Sequence, residues 1–205
     1  MKSVIFDLDG TLIRFNIEWL EVKSKIIKKI EEEGLNLGKL SVKDSIQGIL
    51  DKLEGLKDMK EEIYKIIEKY EVEAALKAEL RDGAIEVLEV LKNLNLGLVT
   101  NNGERAVNLI LNRMGLKKYF KVIVVREDVE KLKPYPFGLK KALNSLKVDP
   151  KDSYYVGDSV YDIEASRRLG VKSVAIIGGI SSKEDLIRAK PDYLISSLKD
   201  LLLIL

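Results

Sequence analysis

Two aspartates, Asp7 and Asp9, follow directly after the short apolar run Val4-Ile5-Phe6, which is typical of a buried strand. Gly10 comes next, so the sequence predicts a tight loop in which the two carboxylates lie close together. Because like charges at short range repel, either a cation bridges them or one carboxyl group has a raised pKa. Both outcomes suit a nucleophilic carboxylate beside a proton donor. An aspartate-rich turn or a calcium loop is the alternative, although an EF-hand loop has its glycine later, at the sixth position.

A hydroxyl and an amide follow a second apolar run, and a lysine stands before a proline further along. Thr100 and Asn101 come directly after the strand-like run 96–99. Together with the N–H groups that open the next helix they would form a phosphate cradle, although an ordinary helix N-cap explains the same pair. Lys133 precedes Pro134, which restricts the lysine backbone to an extended or turn geometry. This suits a lysine that points into a site; a surface lysine before a proline-started helix is the alternative.

Two more aspartates, Asp158 and Asp162, flank the turn that follows the strand-like run 153–156. At this spacing they can share one face of a helix, and Gly157 permits a close approach of the backbone. Their oxygens suit Mg²⁺, which prefers a few carboxylates together with retained waters. The alternative is a helix cap, with Asp162 in the first turn, where the helix dipole favours an acidic residue.

The composition narrows the chemistry that these residues can do. The 205 residues include no histidine and no cysteine. This excludes disulfide frameworks, thiol nucleophiles, Cys or His zinc sites and His-based acid–base catalysis. Any chemistry must therefore use carboxylates, amines, hydroxyls, amides or a hard cation held by oxygen.

The charge balance and the apolar runs bear on partners and location. With 35 basic and 33 acidic residues the net charge is +2, so we expect no nucleic-acid partner. The apolar run 201–205 is too short to span a bilayer, and the first ten residues do not resemble a signal peptide. We expect a soluble, cytoplasmic protein without a membrane partner. Its many lysines and glutamates and its single glutamine, Gln47, are typical of a heat-adapted, thermostable protein.

Residues 14–82 carry a helical pattern of apolar residues, and no convincing strand is predicted there. Apolar residues from Ile17 to Ile30 predict a first helix, with Gly34 as its stop. The segment Ser41–Asp44 resembles a capping box that opens a second helix. The apolar stripe from Met59 to Tyr70 predicts a third.

After Gly83 the pattern changes, and short β-rich runs alternate with helical segments up to a predicted terminal helix. This alternation predicts a parallel sheet with helices on both faces. We therefore expect an α/β fold: a Rossmann-like, doubly wound core of residues 1–13 and 83–205, interrupted by an α-helical cap, residues 14–82. Sites in such sheets form beyond the carboxyl ends of the strands. The four polar segments described above lie at such ends.

In their order along the chain, these four segments resemble the four motifs of the haloacid dehalogenase superfamily. The matching segments are Asp7–Thr11, Thr100-Asn101, Lys133–Pro136 and Gly157–Asp162. The insert at 14–82 resembles the class I cap of that superfamily, as in phosphoglycolate phosphatases. The resemblance implies a phosphatase that requires Mg²⁺ and hydrolyses a small phosphorylated metabolite, with the cap closing over the site.

The resemblance also implies roles for individual residues. Asp7 would attack phosphorus and form an aspartyl-phosphate, while Asp9 would act as general acid and then as general base. Thr100, with Asn101 and neighbouring N–H groups, would hold the phosphoryl oxygens. Lys133 would neutralise charge on Asp7 and on the transferring group.

For the cofactor, the resemblance implies Mg²⁺ held by Asp7, the carbonyl group of Asp9 and Asp158, with Asp162 in support. The chain departs from many relatives after the first motif, where Ile13-Arg14-Phe15 stands in place of an acid and a hydroxyl residue. Arg14 is therefore a candidate to meet a substrate anion, and an exposed hinge arginine is the alternative.

Other functions share parts of this pattern. A phosphomutase or phosphotransferase of the same superfamily has all four motifs. A phospho-aspartate receiver uses similar residues in a different order and leaves the insert unexplained, and a catalytically silent binding scaffold would not need every catalytic residue type. The sequence does not distinguish a monomer from a homodimer and does not identify the substrate.

Overall fold

Six parallel strands form the central sheet of the computed structural model, which describes residues 2–205. In spatial order the strands are β5 (Val122–Val124), β4 (Asn95–Val99), β1 (Ser3–Phe6), β6 (Ser153–Gly157), β7 (Lys172–Ile176) and β8 (Tyr193–Ile195). Strand β1 pairs with β4 on one side and with β6 on the other, so the chain winds outward in both directions from β1. This confirms the predicted doubly wound parallel sheet.

Helices cover both faces of this sheet because successive residues of each buried strand point to opposite sides. Val4 and Phe6 pack in the large core formed with α4 (Ala84–Leu91) and α5 (Glu104–Arg113). Ile5, between them, packs on the other face with α6 (Phe137–Leu146). The remaining helices of this part of the chain are α7 (Val160–Leu169) and α8 (Lys183–Ala189).

The predicted terminal helix is instead a run of 3-10 turns, Leu198–Leu203, which packs against α4. Its two most buried side chains, Leu198 and Leu201, lie three residues apart. In a 3-10 helix residues at i and i+3 align on one side, so this spacing suits the tighter winding.

Three helices fill the segment 14–82, to which we refer as the cap: α1 (Trp19–Glu32), α2 (Ile46–Lys52) and α3 (Lys57–Lys77). They share an apolar cluster, and the core loop residue Leu132 is buried in it as well. The existence of three helices agrees with the sequence pattern. Because Leu132 lies far from the cap in sequence, its burial in this cluster joins the cap to the core.

The predicted start of the second helix is wrong. The N–H of Ser41 donates to Asp44 Oδ2 at 3.1 Å, and this contact closes a separate turn. Helix α2 begins only at Ile46, with Ser45 as its N-cap; Ser45 Oγ accepts from the N–H of Gly48 at 2.9 Å. The capping-box residues therefore stabilise a turn that precedes the helix.

A short antiparallel pair joins the cap to the core, although no strand was predicted in the segment 14–82. Strand β2 (Ile13–Arg14) pairs with β3 (Glu79–Leu80) where the chain leaves and re-enters the core. Two-residue strands are too short to show the alternation by which strands are recognised in a sequence. Among residues 2–205, no helix has the length and apolar character needed to cross a membrane.

Candidate active site

Asp7 lies at the carboxyl end of β1, at the centre of the sheet. Its backbone N–H donates to the carbonyl oxygen of Val156 at 2.8 Å, so the residue is held by the neighbouring strand β6. Its side chain is buried, and Oδ1 lies 2.8 Å from Nζ of Lys133. Burial raises the pKa of Asp7, and the carboxylates of Asp162 and Asp158 raise it further, against the opposing effect of Lys133.

Lys133 is buried between two carboxylates, since its Nζ also lies 2.6 Å from Asp162 Oδ1. Burial by itself would lower the pKa of Lys133, but Asp162 and Asp7 raise it well above its usual value. Asn101 holds the lysine backbone. Its Oδ1 accepts from the N–H of Lys133 at 2.9 Å, and its Nδ2 donates to the Lys133 carbonyl at 3.3 Å. Asn101 thus positions Lys133, although the sequence analysis assigned these two residues to separate segments with separate roles.

The hydroxyl of Thr100 is fixed by a residue that sequence reasoning did not select. Thr100 Oγ1 donates to Asn102 Oδ1 at 2.6 Å and accepts from the Asn102 N–H at 3.2 Å. Both side chains are buried at the end of β4. Asn102 directly follows Thr100 and Asn101 in the sequence. The one sequence signal for it was an amide side chain at the end of a strand.

The N–H groups at the start of α5 are bound to carboxylates. The Gly103 N–H donates to Glu71 Oε2 of the cap at 3.1 Å, and the Glu104 N–H donates to Glu127 Oε2 at 2.9 Å. The sequence suggested that the N–H groups opening this helix would form part of a phosphate cradle. In this structure these two donors are already bound to acidic side chains.

Asp158 lies beyond the end of β6 and is completely buried. Its Oδ2 accepts from the Ile180 N–H at 2.5 Å, and Thr11 Oγ1 lies 3.4 Å from its Oδ1. Two glycines make room for it: a Cβ atom at Gly10 or Gly179 would lie 2.1 or 2.0 Å from Asp158 Oδ2. Gly179 belongs to the loop after β7 and was not selected from the sequence. Burial raises the pKa of Asp158, and Asp162 raises it further.

Asp162 lies in the first turn of α7, where it forms a capping box with Ser159. Its Oδ2 accepts from the Ser159 N–H at 3.0 Å and from Ser159 Oγ at 2.6 Å, while its Oδ1 faces Lys133. The helix-cap role weighed as an alternative is therefore present together with the contact to Lys133. Both carboxylate oxygens have protein partners.

The acidic residues could hold a metal ion. Asp7, Asp158 and Asp162 each offer one carboxylate oxygen, and these atoms lie within 4.8 Å of one another. Within residues 2–205, Asp7 Oδ1 is the buried carboxylate oxygen that lacks a well-aligned hydrogen bond, despite its short distance to Lys133. Buried carboxylate oxygens suit a hard divalent cation such as Mg²⁺. The Asp9 side chain is not part of this cluster. The backbone carbonyl group is therefore the part of Asp9 that we expect to bind the metal.

A cavity of about 320 Å³ opens between the core and the cap. The core contributes Asp7, Asp9, Thr100, Asn101, Asn102, Arg126, Leu132, Lys133, Ser159, Tyr161 and Ile180, and the cap contributes Trp19, Lys23, Ser45, Ile46, Gln47, Ile67 and Glu71. Asp9 is buried; burial raises its pKa well above the usual value, and Asp7 and Asp158 act in the same direction. The cavity therefore brings a carboxyl group with a raised pKa next to Asp7.

Arg14 does not line this cavity. It lies on β2 with a side chain that is 63 % exposed, 3.7 Å from the exposed Asp82. It borders a second cavity of about 760 Å³, which adjoins Asp9 and Gly10 from the hinge side. The structure thus brings Arg14 close to the first motif but not into the space that Asp7 and Lys133 share.

A match to a known protein family identifies the family of this chain. The model of the haloacid dehalogenase-like hydrolase family matches residues 4–176. The chain belongs to this family. The match extends from within β1 to the end of β7, and it confirms the resemblance and the enzyme class that the four motifs predicted.

Relatives within and around this family agree with the assignment. The pyrophosphatase PpaX of Halalkalibacterium halodurans is 33 % identical over 211 residues, covering 98 % of this chain and 95 % of that protein. Among solved structures, a hydrolase from Pseudomonas syringae matches with a TM-score of 0.76 and 24 % identity, covering 98 % of this chain and 96 % of that chain. A predicted phosphoglycolate phosphatase from Haemophilus somnus matches at TM-score 0.72 and 23 % identity, covering 100 % and 97 %. At these identities the two structures support the fold alone.

The chain is thus a phosphatase-type hydrolase of the haloacid dehalogenase-like family, with its polar residues gathered where the central strands end. Strands β4, β1 and β6 are neighbours, so their carboxyl ends bring Thr100, Asp7 and Asp158 to one edge. Lys133 joins them from the loop before α6.

Proposed function

We propose that the protein is a Mg²⁺-dependent phosphatase that acts on a small phosphorylated metabolite through an aspartyl-phosphate on Asp7. The observation that carries this proposal is the position of the Asp7 carboxylate. It is buried at the end of the central strand, faces a cavity under the cap and lies 2.8 Å from the Lys133 ammonium group. A carboxylate in such a setting can act as a nucleophile towards phosphorus while a nearby cation neutralises the charge of the phosphoryl group.

The reaction proceeds in two displacements. In the first, a carboxylate oxygen of Asp7 bonds to phosphorus, the bond from phosphorus to the leaving oxygen breaks, and Asp9 gives its proton to that oxygen. In the second, a water oxygen bonds to phosphorus, the bond to Asp7 breaks, and Asp9 takes the proton of the water. Asp9 is suited to both steps because its raised pKa lets it hold a proton and later accept one.

The acidic cluster supports a divalent cation in this scheme. Asp7, Asp158 and the Asp9 carbonyl would hold Mg²⁺, which supplies positive charge to the phosphoryl oxygens when bound. Asp162 is a weaker candidate for direct coordination because its oxygens are bound to Lys133 and Ser159. We therefore assign Asp162 to support of the site through Lys133.

The charges around the cavity favour a substrate with a second anionic group. Lys133 is paired with Asp7 and Asp162, and Arg126 is paired with Glu71, so both core cations are neutralised. Lys23 of the cap is different. Its Nζ donates to the Val42 carbonyl at 3.1 Å, and the carboxylate that acts on it, Asp44, is paired with Lys52 instead.

The volume of the cavity and the names of related proteins both favour a compact substrate. A cavity of about 320 Å³ lies at the lower end of the range for small-molecule sites. Pyrophosphate is the first substrate to test, because relatives of this chain are named pyrophosphatase PpaX. In this assignment one phosphoryl group lies at Asp7 and the other near Lys23.

Phosphate release in the presence of Mg²⁺ tests the proposal. The panel contains pyrophosphate, phosphoglycolate, sugar phosphates, nucleotides and an aryl phosphate, with wild-type protein and the Asp7→Asn variant side by side. We expect phosphate from at least one compact substrate with wild type and none above background with Asp7→Asn. Equal rates for the two proteins would overturn the mechanism, and transfer of the phosphoryl group to a second substrate molecule would favour a mutase or phosphotransferase.

A further inference from the structure

A buried ion pair joins the cap to the core beside the cavity. Glu71 of α3 and Arg126 of the loop after β5 are 1 % and 3 % exposed, and Glu71 Oε1 lies 2.8 Å from a guanidinium nitrogen of Arg126. The guanidinium also lies over the ring of Tyr64, another residue of α3, with 5.0 Å between its carbon and the ring centroid. The contact therefore forms only when α3 lies against the core.

The same glutamate reaches the loop that carries Thr100. Glu71 Oε2 accepts from the Gly103 N–H at 3.1 Å, while the Arg126 N–H donates to the Asn102 carbonyl at 3.1 Å. Asn102 in turn holds the hydroxyl of Thr100. One carboxylate of the cap is thus linked, through Gly103 on one side and Arg126 on the other, to the residue that orients Thr100.

Gly103 is shaped for this contact. Its φ of −73° is open to any residue, so its backbone conformation does not require glycine. A Cβ atom at this position would, however, lie 2.2 Å from a guanidinium nitrogen of Arg126. The absent side chain therefore makes room for the guanidinium beside the loop.

Stability alone is a poor explanation of this pair. A buried ion pair can often be replaced by apolar residues of similar volume without loss of stability, because the two charges must be desolvated. Here the Arg126 Nε is buried and has no hydrogen-bond partner within residues 2–205, which adds to that cost. An apolar pair would join α3 to the core equally well but could not bind the Gly103 N–H.

We propose that Glu71 is a positioning residue: when the cap closes, its carboxylate orders the loop from Thr100 to Gly103 through Gly103 and Arg126. This inference rests on the proposed phosphatase function and adds to it a physical link between cap closure and the phosphoryl-binding side of the site. The loop is fully ordered only in the closed state, so the hydroxyl of Thr100 is correctly placed once the cavity is shut. Glu71 acts through the loop and does not touch the reacting atoms.

Two matched double variants test this link. In Glu71→Met/Arg126→Met both charges are removed and no acceptor remains for the Gly103 N–H. In Glu71→Gln/Arg126→Met the charges are also removed, but the carboxamide oxygen can still accept from Gly103. Neither variant leaves a buried charge unpaired, so both should fold, and thermal unfolding checks this. Glu68→Gln is the control, because Glu68 lies on the same helix and joins the cap to the core through a more exposed pair with Arg105 of α5.

The readouts are kcat and KM for an aryl phosphate with Mg²⁺, and amide hydrogen exchange at Gly103 in the substrate-free protein. For the Met/Met variant we expect exchange at Gly103 to be about tenfold faster and kcat to fall by about tenfold, with a smaller change in KM. The Gln/Met variant should retain most of the protection and most of the turnover, and Glu68→Gln should match wild type in both.

Equal kcat and equal Gly103 exchange in the two double variants would overturn the proposal and leave the pair a structural contact. If wild type releases phosphate from no substrate, the proposed function fails. The exchange comparison still reports whether Glu71 orders the loop, because it requires no substrate.

Discussion

Asp162 binds Lys133 through one carboxylate oxygen, at 2.6 Å, and its other oxygen is held by the N–H and hydroxyl of Ser159. The aspartate thus ties the start of α7 to the lysine that faces Asp7. Because both oxygens are occupied, we propose that Asp162 holds the ammonium group in place and does not bind Mg²⁺ directly. Asp158, buried beyond the end of β6, is the stronger candidate for direct coordination.

This difference predicts distinct effects of two substitutions. Asp162→Asn should lower kcat by about tenfold to a hundredfold, because a charged hydrogen bond to Lys133 is lost, while the Mg²⁺ concentration for half-maximal activity changes little. Asp158→Asn should raise that concentration by about tenfold or more. Glu164→Gln is the control, since Glu164 lies on the same helix in an exposed pair with Arg168. A large rise in Mg²⁺ demand for Asp162→Asn would make it a direct ligand.

The buried carboxylates predict how stability depends on pH. Burial raises the pKa of Asp7 to about 7 and that of Asp158 to about 6, above the 3.8 of an unperturbed aspartate. Between about pH 4 and pH 7 the folded state therefore binds more protons than the unfolded chain. The free energy of unfolding falls as the pH rises through this window. In EDTA the Tm should be higher at about pH 5 than at about pH 8.

Addition of Mg²⁺ should restore the Tm at the higher pH, because the ion binds the deprotonated carboxylates of the folded state. The Asp7→Asn/Asp158→Asn variant serves as the comparison and should lose the part of the pH dependence that Asp7 and Asp158 contribute, while Asp9, whose pKa burial also raises, keeps the remainder. Thermal unfolding by circular dichroism measures both effects. A Tm in EDTA that climbs steadily over the same range would contradict the assigned burial of these carboxylates.

Lys23 should determine how well the site accepts a second anionic group. It lines the cavity from α1 and has a carbonyl, not a carboxylate, as its partner. Lys23→Met should raise the KM for pyrophosphate by about tenfold, since one charged hydrogen bond is lost, and should change the KM for an aryl phosphate much less. The matched control is Lys28→Met on the exposed face of the same helix. Equal changes in KM for the two substrates would exclude Lys23 as the selective contact.

The close approach of Gly179 to Asp158 predicts a strong effect of one added methyl group. A Cβ atom there would lie 2.0 Å from Asp158 Oδ2, so Gly179→Ala must displace the carboxylate or the loop. We expect weaker Mg²⁺ binding and a lower Tm, measured by isothermal titration calorimetry and by thermal unfolding. Gly170→Ala provides the comparison: Gly170 has open space around its Cβ position but a φ of +70°, so it should affect Tm and not Mg²⁺ affinity.

The fold was predictable because its signals are local. Short apolar runs separated by helical segments predicted the parallel sheet, and polar residues directly after Phe6, Val99 and Gly157 marked strand ends that meet at one edge. The two-residue strands of the hinge were missed because they are too short to show alternation and pair across the whole insert. The local contact at Ser41–Asp44 was recognised but was assigned to a helix start instead of a separate turn.

Contacts between distant loops were likewise not predictable from the sequence. Nothing near Glu71 or Arg126 in the sequence indicates that they meet, since 55 residues separate them. The hydrogen bonds between the Asn101 side chain and the Lys133 backbone likewise join residues that are 32 positions apart. Arg14 was selected from its place after the first motif, but it lies on the exposed edge of β2. Packing of the cap on the core decides these positions, and one sequence does not describe that packing.

Trapping the covalent intermediate tests the proposed mechanism most directly. Wild-type protein is mixed with Mg²⁺ and a substrate labelled in its phosphoryl group, quenched in acid within one turnover, and mapped by peptide mass spectrometry. The proposed mechanism predicts an acid-stable, hydroxylamine-sensitive phosphoryl group on Asp7 that is absent from Asp7→Asn. Steady phosphate release without any label on the protein, or a label on a residue other than Asp7, would contradict it.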